Sequence, residues 1–118
     1  MVLITKAIKK MDNNQILSAA RNKVSRLLKT PEMGVGFFND CRYMIECGET
    51  NAYYGYEVDM LLTNRTAMDY LTAAEATGTT DEITQFIRLL GRIGRANNSE
   101  DPDYIEEKWN ALNEWANN

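Results

Sequence analysis

The stretch "TGTTDEITQFIRLLGRIGRANN", residues 77–98, carries the clearest helical pattern in the chain. Its large apolar residues recur every three or four positions and therefore share one face of an α-helix. These residues are Ile83, Phe86, Ile87, Leu90 and Ile93. Thr79 and Glu82 have the spacing of a capping box, which predicts where this helix begins. The polar residues 97–99 predict a loop after the C-terminal end of this helix.

A similar periodicity predicts three helices before this stretch. The first is expected over residues 13–29, with its lysines and arginines opposite its apolar face. The second is expected over 31–47, because Gly48 is a typical C-terminal stop. The third covers about 50–63 and either continues beyond that point or restarts at Thr66.

A last helix is predicted to follow Asp101, because aspartate is a good cap and Pro102 suits the first helical position. The sequence shows no sustained alternation of apolar and polar residues and no hairpin turn, so a sheet is not expected. We therefore predict an all-α fold, a compact single-domain bundle of five to six helices over residues 1–118. Residues 1–12 are expected to form either a short helix or a loose basic arm.

The composition is typical of one globular domain, with 118 residues, 44% of them hydrophobic, and a net charge of −4. No apolar run approaches the length of a membrane span, and lysines interrupt the N-terminal apolar residues too early for a signal peptide. These features predict a cytoplasmic protein that does not enter a membrane. Cys41 and Cys47 are expected to be buried thiols that do not form a disulfide with each other.

Residue types that carry much of enzyme chemistry are missing from the sequence. It contains no histidine, the commonest general base and metal ligand near neutral pH. It also contains no phosphate-binding loop of the Walker type. The carboxylates between Asp101 and Glu107 are interpreted as helix-capping and solvent-exposed groups rather than as a cation site. We accordingly predict a protein that is not an enzyme and has no metal, no cofactor and no small-molecule substrate.

Charge is distributed unevenly along the chain. The first thirty residues hold seven cations and one anion, whereas the last twenty hold six anions and one cation. Helical projection gives one basic set on the first long helix and a second on the helix of residues 77–98. These sets are Arg21, Lys23 and Arg26, and Arg88, Arg92 and Arg95. Either they bind nucleic acid or an acidic partner, or they pair with the acidic last helix. Gly91 and Gly94 are expected to leave the surface beside the second set open.

Residues 51–62, "NAYYGYEVDMLL", carry two apolar stripes on nearly opposite sides of the third predicted helix. We call one of them the tyrosine stripe; it consists of Tyr53, Tyr56 and Met60. Such a helix is either enclosed by the bundle or faces the core with one side and a partner with the other. Tyrosine and methionine are enriched at interfaces, so the stripe predicts a partner-binding surface that Tyr43 and Tyr70 would extend.

Together these patterns predict a small non-catalytic helical module for protein–protein interaction or regulation. Its expected partner is another protein, with a second copy of the chain in a homodimer as the leading case. The alternative is a nucleic-acid-associated regulator, of the kind found in phages and mobile elements, that uses the two basic sets. The sequence leaves both open, since an acidic chain can still bind nucleic acid through a local basic patch.

Overall fold

A computed structural model describes residues 12–30, 36–53, 62 and 64–118, apart from the side chains of residues 50–53. Within these ranges the chain forms five helices and no strand, which confirms the all-α class. The helices are α1 (Asn13–Leu28), α2 (Phe37–Tyr53), α3 (Arg65–Thr77), α4 (Thr80–Ala96) and α5 (Pro102–Ala116). None of them has both the length and the apolar character needed to cross a lipid bilayer.

Two helix starts follow the local chemistry of their caps. The Asp12 carboxylate accepts a hydrogen bond from the Gln15 backbone N–H at 2.8 Å, and the Gln15 side chain accepts one from the Asp12 N–H at 3.0 Å. This reciprocal capping box satisfies N–H groups that have no partner inside α1. At α5 the Asp101 carboxylate accepts from the Asp103 N–H at 3.0 Å, and Pro102 is the first helical residue, as predicted.

Two predicted boundaries are wrong. Helix α2 does not stop at Gly48 but continues to Tyr53. Helix α3 is capped by Asn64, whose side-chain Oδ1 accepts from the Thr66 N–H at 2.8 Å, so Thr66 lies inside the helix rather than at its cap. The predicted start of α4 is confirmed, because Thr79 is the residue before its first turn, but the Thr79 side chain makes no capping hydrogen bond. Most of the predicted helix over 50–63 lies outside the described residues.

The central element is α4, which contacts α2, α3 and α5. The predicted apolar face of α4 is buried as expected. Burial extends further round the helix than the sequence indicated, because Leu89, Gly91, Gly94 and Ala96 are buried as well. Helix α1 packs chiefly against α5. Within the described residues, the bundle is therefore organised around α4.

Helices α2 and α4 cross with their backbones in direct contact. A Cβ atom added to Gly48 would lie 2.8 Å from the Cα of Gly91, and one added to Gly94 would lie 2.6 Å from the Glu49 nitrogen and closer still to the Ile45 carbonyl oxygen. Side chains have no room at such distances, whereas glycine permits close approach of two backbones. Gly48 is therefore a packing residue here and not a helix stop.

An aromatic cluster joins four of the helices. The Phe86 ring of α4 stacks on Phe37 of α2, with centroids 6.1 Å apart, and on Trp115 of α5 at 5.3 Å. Tyr70 of α3 lies against both phenylalanines at 6.3 to 6.4 Å. Aromatic pairs in this range stabilise a core beyond the burial of their area alone.

We expect Gly94→Ala to destabilise the fold by about 1–3 kcal/mol, the range for an overpacked interior, because the atoms it meets belong to backbone. Gly36→Ala is the matched control. The nearest atoms to a Cβ there are the Asp40 carboxylate oxygens at 3.9 Å, an ordinary contact, so no loss of stability is expected. Urea denaturation measures both variants. Equal stability of Gly94→Ala and wild type would contradict the close crossing.

Candidate interaction site

The tyrosine stripe falls almost wholly outside the described residues. Tyr56 and Met60 lie there entirely, and Tyr53 is described only as the last backbone position of α2. By register Tyr53 stands seven residues after Glu46 and eleven after Arg42, which puts it on the same side of an α-helix as these two exposed residues. The stripe itself stays a prediction.

The two tyrosines that were expected to extend the stripe differ from each other. Tyr43 is 49% exposed on α2 and remains available as surface. Tyr70 is only 2% exposed, and its hydroxyl donates to an Asp40 carboxylate oxygen at 2.9 Å. Burial and the hydrogen bond to Asp40 raise the pKa of Tyr70, so it stays protonated. The expectation that Tyr70 adds to an exposed patch is therefore wrong.

Lys23 does not lie on the exposed side of α1. Its side chain is buried, and its Nζ donates to the Trp115 carbonyl oxygen at 2.7 Å. The same Nζ lies 4.2 Å from the centroid of the Trp115 ring and 3.7 Å from a Glu82 carboxylate oxygen. The ammonium is thus paired inside the bundle, where it ties α1 to α5 and to the start of α4. Helical projection missed this position because it treats every lysine as solvated.

The other two cations of the first basic set have different surroundings. Arg21 is half-buried, and its guanidinium lies 5.1 Å from the Phe38 ring centroid, a cation–π distance. Arg26 is exposed. The first set therefore does not form a continuous exposed basic face, because Lys23 points inward between the other two.

The second basic set, which we call the arginine row, forms one stripe on α4. Arg92 and Arg95 are exposed and Arg88 is half-buried. The sequence predicted open surface beside the row at Gly91 and Gly94. This prediction is wrong, because α2 covers both glycines. Of the two basic sets, the arginine row is the one that faces solvent along its helix.

Sequence reasoning did not identify a groove that runs past Trp109. On one side of this half-buried indole, α1 and the first half of α5 line a hollow of about 330 Å³, with Ile16 and Ile105 in its walls. On the other side, a second hollow of about 330 Å³ reaches α2 at Ile45. Asn13 and Trp109 line both hollows, so we treat them as one feature, the Trp109 groove. The residue that could have indicated this groove from the sequence is Trp109, a large aromatic side chain on a face of α5 that α1 covers only in part.

The charged residues that line the Trp109 groove are mainly acidic. Glu106 lines the first hollow, and Glu46 and Glu49 line the second. Arg42 is the single cation among the described residues that line the groove. Apolar walls within a charged margin suit a side chain that is anchored by burial and selected by charge.

The described core holds one thiol whose environment suppresses reactivity. Burial raises the pKa of Cys41 strongly, and the neighbouring Asp40 carboxylate adds to the effect. Since the thiolate is the nucleophilic form, Cys41 acts as an apolar packing residue. Cys47 is half-buried, and both thiols are free. Across the described ranges, no three histidine, cysteine or carboxylate side chains are grouped so that they could hold a metal ion.

Comparison with known proteins adds no functional information. The chain matches no known protein family, and no curated protein or solved structure is significantly similar to it. Three surfaces of the described residues are candidates for binding: the side of α2 with Tyr43, the arginine row and the Trp109 groove.

We expect Lys23→Met to lower the free energy of unfolding by about 1–3 kcal/mol, because it removes a short charge-assisted hydrogen bond to the Trp115 carbonyl. Arg26→Met, on the exposed side of the same helix, is the control and should change stability by less than about 0.5 kcal/mol. Thermal or urea denaturation compares the two. If both variants matched the wild type, the Lys23 contacts would contribute nothing to the fold.

Proposed function

We propose that this protein is a small non-catalytic helical module that acts by binding another protein, with a second copy of itself as the leading partner. The observation that carries the proposal is the outward side of α2. It exposes the Tyr43 ring by 49% and includes the register position of Tyr53. Half-exposed tyrosine is typical of interfaces, where the ring is buried while the hydroxyl keeps contact with water.

The packing of α2 supports this role. Its inner side is fixed to α4 by the backbone contact at Gly48, Gly91 and Gly94, and its Phe37 ring stacks on Phe86. A surface on a helix held in this way loses little conformational freedom on binding, which favours affinity. Binding by a preformed helical face is also a simple means of regulation, since one partner excludes another from the same surface.

The double variant Tyr53→Glu/Tyr56→Glu is expected to convert a dimeric wild type into a folded monomer, because two carboxylates would be buried without partners in the interface. Light scattering on a sizing column measures the mass, and circular dichroism measures the fold. Met68→Glu/Tyr104→Glu is the matched control. It places the same charges at two exposed apolar residues on α3 and α5 and should leave the mass unchanged.

Two results would contradict self-association through the tyrosine stripe. One is a monomeric wild type at every concentration tested. The other is a dimer that the Tyr53→Glu/Tyr56→Glu variant leaves intact.

A second candidate function is binding to nucleic acid. The observation in its favour is the arginine row, which lies on one helix face with Arg92 and Arg95 exposed. Guanidinium groups bind phosphate well, and a local row of them can bind nucleic acid even though the protein as a whole carries a net negative charge. Because Lys23 is buried, the surface for this candidate consists of the arginine row, the exposed Arg26 and the half-buried Arg21.

If the row binds phosphates, raising salt from about 50 to 200 mM should weaken binding to a duplex roughly 40-fold for three phosphate contacts. Arg88→Glu/Arg92→Glu should abolish most of that binding. Arg42→Glu/Arg65→Glu changes the charge equally at exposed arginines of α2 and α3 and serves as the control. Fluorescence anisotropy with labelled duplex measures all three proteins. Absence of wild-type binding at low salt, or equal losses in both variants, would exclude the row as a nucleic-acid site.

A further inference from the structure

The Trp109 groove has a composition that specifies its occupant. Its walls offer Ile16, Ile105 and the half-buried Trp109 ring, and its margin carries Glu46 and Glu106. The complementary ligand is a short peptide segment with apolar side chains for the walls and lysines for the margin. Burial of apolar side chains supplies most of the free energy in such a contact, and the charges select the partner and its orientation.

A segment of this chemistry is attached to the chain where the groove begins. The described chain starts at Asp12, and the next residue, Asn13, lines both hollows. The sequence before it, "MVLITKAIKKM", occupies residues 1–11 and combines an apolar set with three cations. The apolar set is Val2, Leu3, Ile4, Ala7 and Ile8, and the cations are Lys6, Lys9 and Lys10.

We propose that the Trp109 groove is the docking site of residues 1–11 of the same chain. The distance is short for a segment of this length. From Pro102 to Trp109 the groove follows α5 for about 11 Å at 1.5 Å per residue. Eleven residues span about 16 Å as a helix and up to roughly 36 Å when extended. The segment reaches along the groove in either conformation.

The charges agree with docking in the same chain. The segment brings three lysines to a margin with Glu46, Glu49 and Glu106, where Arg42 is the opposing cation. Attachment at Asp12 gives the segment a high effective concentration at the groove, whereas a segment from a second copy has to be recruited from solution. This inference does not depend on self-association through the tyrosine stripe.

The test uses the full-length protein labelled with 5-fluorotryptophan. The chain has two tryptophans, so two fluorine resonances are expected, and Trp109→Phe assigns them. A soluble gadolinium chelate reports the solvent access of each indole. In the Ile4→Asp/Ile8→Asp variant, the relaxation enhancement that the gadolinium chelate causes at the Trp109 fluorine should rise about twofold or more. The reason is that the segment loses its apolar anchors and leaves the Trp109 ring exposed to solvent. Trp115, which is 8% exposed in the core, should not change.

Asn22→Asp/Thr72→Asp is the control, since it adds the same two charges at exposed positions of α1 and α3. It should leave both resonances unchanged. Equal solvent access of Trp109 in the wild type and in Ile4→Asp/Ile8→Asp would overturn the proposal. The wild type is also measured at several concentrations alongside its mass. Protection of Trp109 that appears only in a dimer would assign the groove to a second copy and likewise overturn docking within the chain.

Discussion

The close crossing of α2 and α4 is the constraint on which the rest of the structure depends. Two helix backbones touch at Gly48, Gly91 and Gly94, and a methyl group at Gly48 or Gly94 would collide with main-chain atoms. Glycine inside a helix costs up to about 1 kcal/mol relative to alanine, so three of them require a compensating gain. That gain is the dense contact between α2 and α4, which brings the Phe37 and Phe86 rings together and makes α4 the centre of the bundle.

Lys23 contributes a second, independent link. The tip of its side chain reaches the C-terminal end of α5, where carbonyl groups lack partners inside the helix and favour a cation. The contact with the Trp115 ring and the ion pair with Glu82 bring α1, α5 and α4 together at one point. This arrangement removes one cation from the surface of α1, so that of the two basic sets the arginine row on α4 is the one that faces solvent along its helix.

Periodicity alone predicted much of the fold. The buried face from Ile83 to Ile93 and the cap at Asp101 follow from spacing and from local hydrogen bonding. Gly48 could not be assigned this way, because glycine serves equally as a helix stop and as a contact, and only the partner helix decides between them. The Trp109 groove was missed for a related reason. It arises where helices distant in sequence diverge, and no local pattern records that geometry.

The most direct test of the crossing is the nuclear Overhauser contact between the α protons of Gly48 and Gly91 in the labelled, folded protein. The structure predicts a strong direct cross-peak, because a Cβ in place of one Gly48 proton would stand 2.8 Å from the Gly91 Cα. Cross-peaks from Gly94 to Ile45 and Glu49 should accompany it. A well-folded protein that shows none of these contacts would contradict the packing of α2 on α4, and with it the placement of the surfaces built on these two helices.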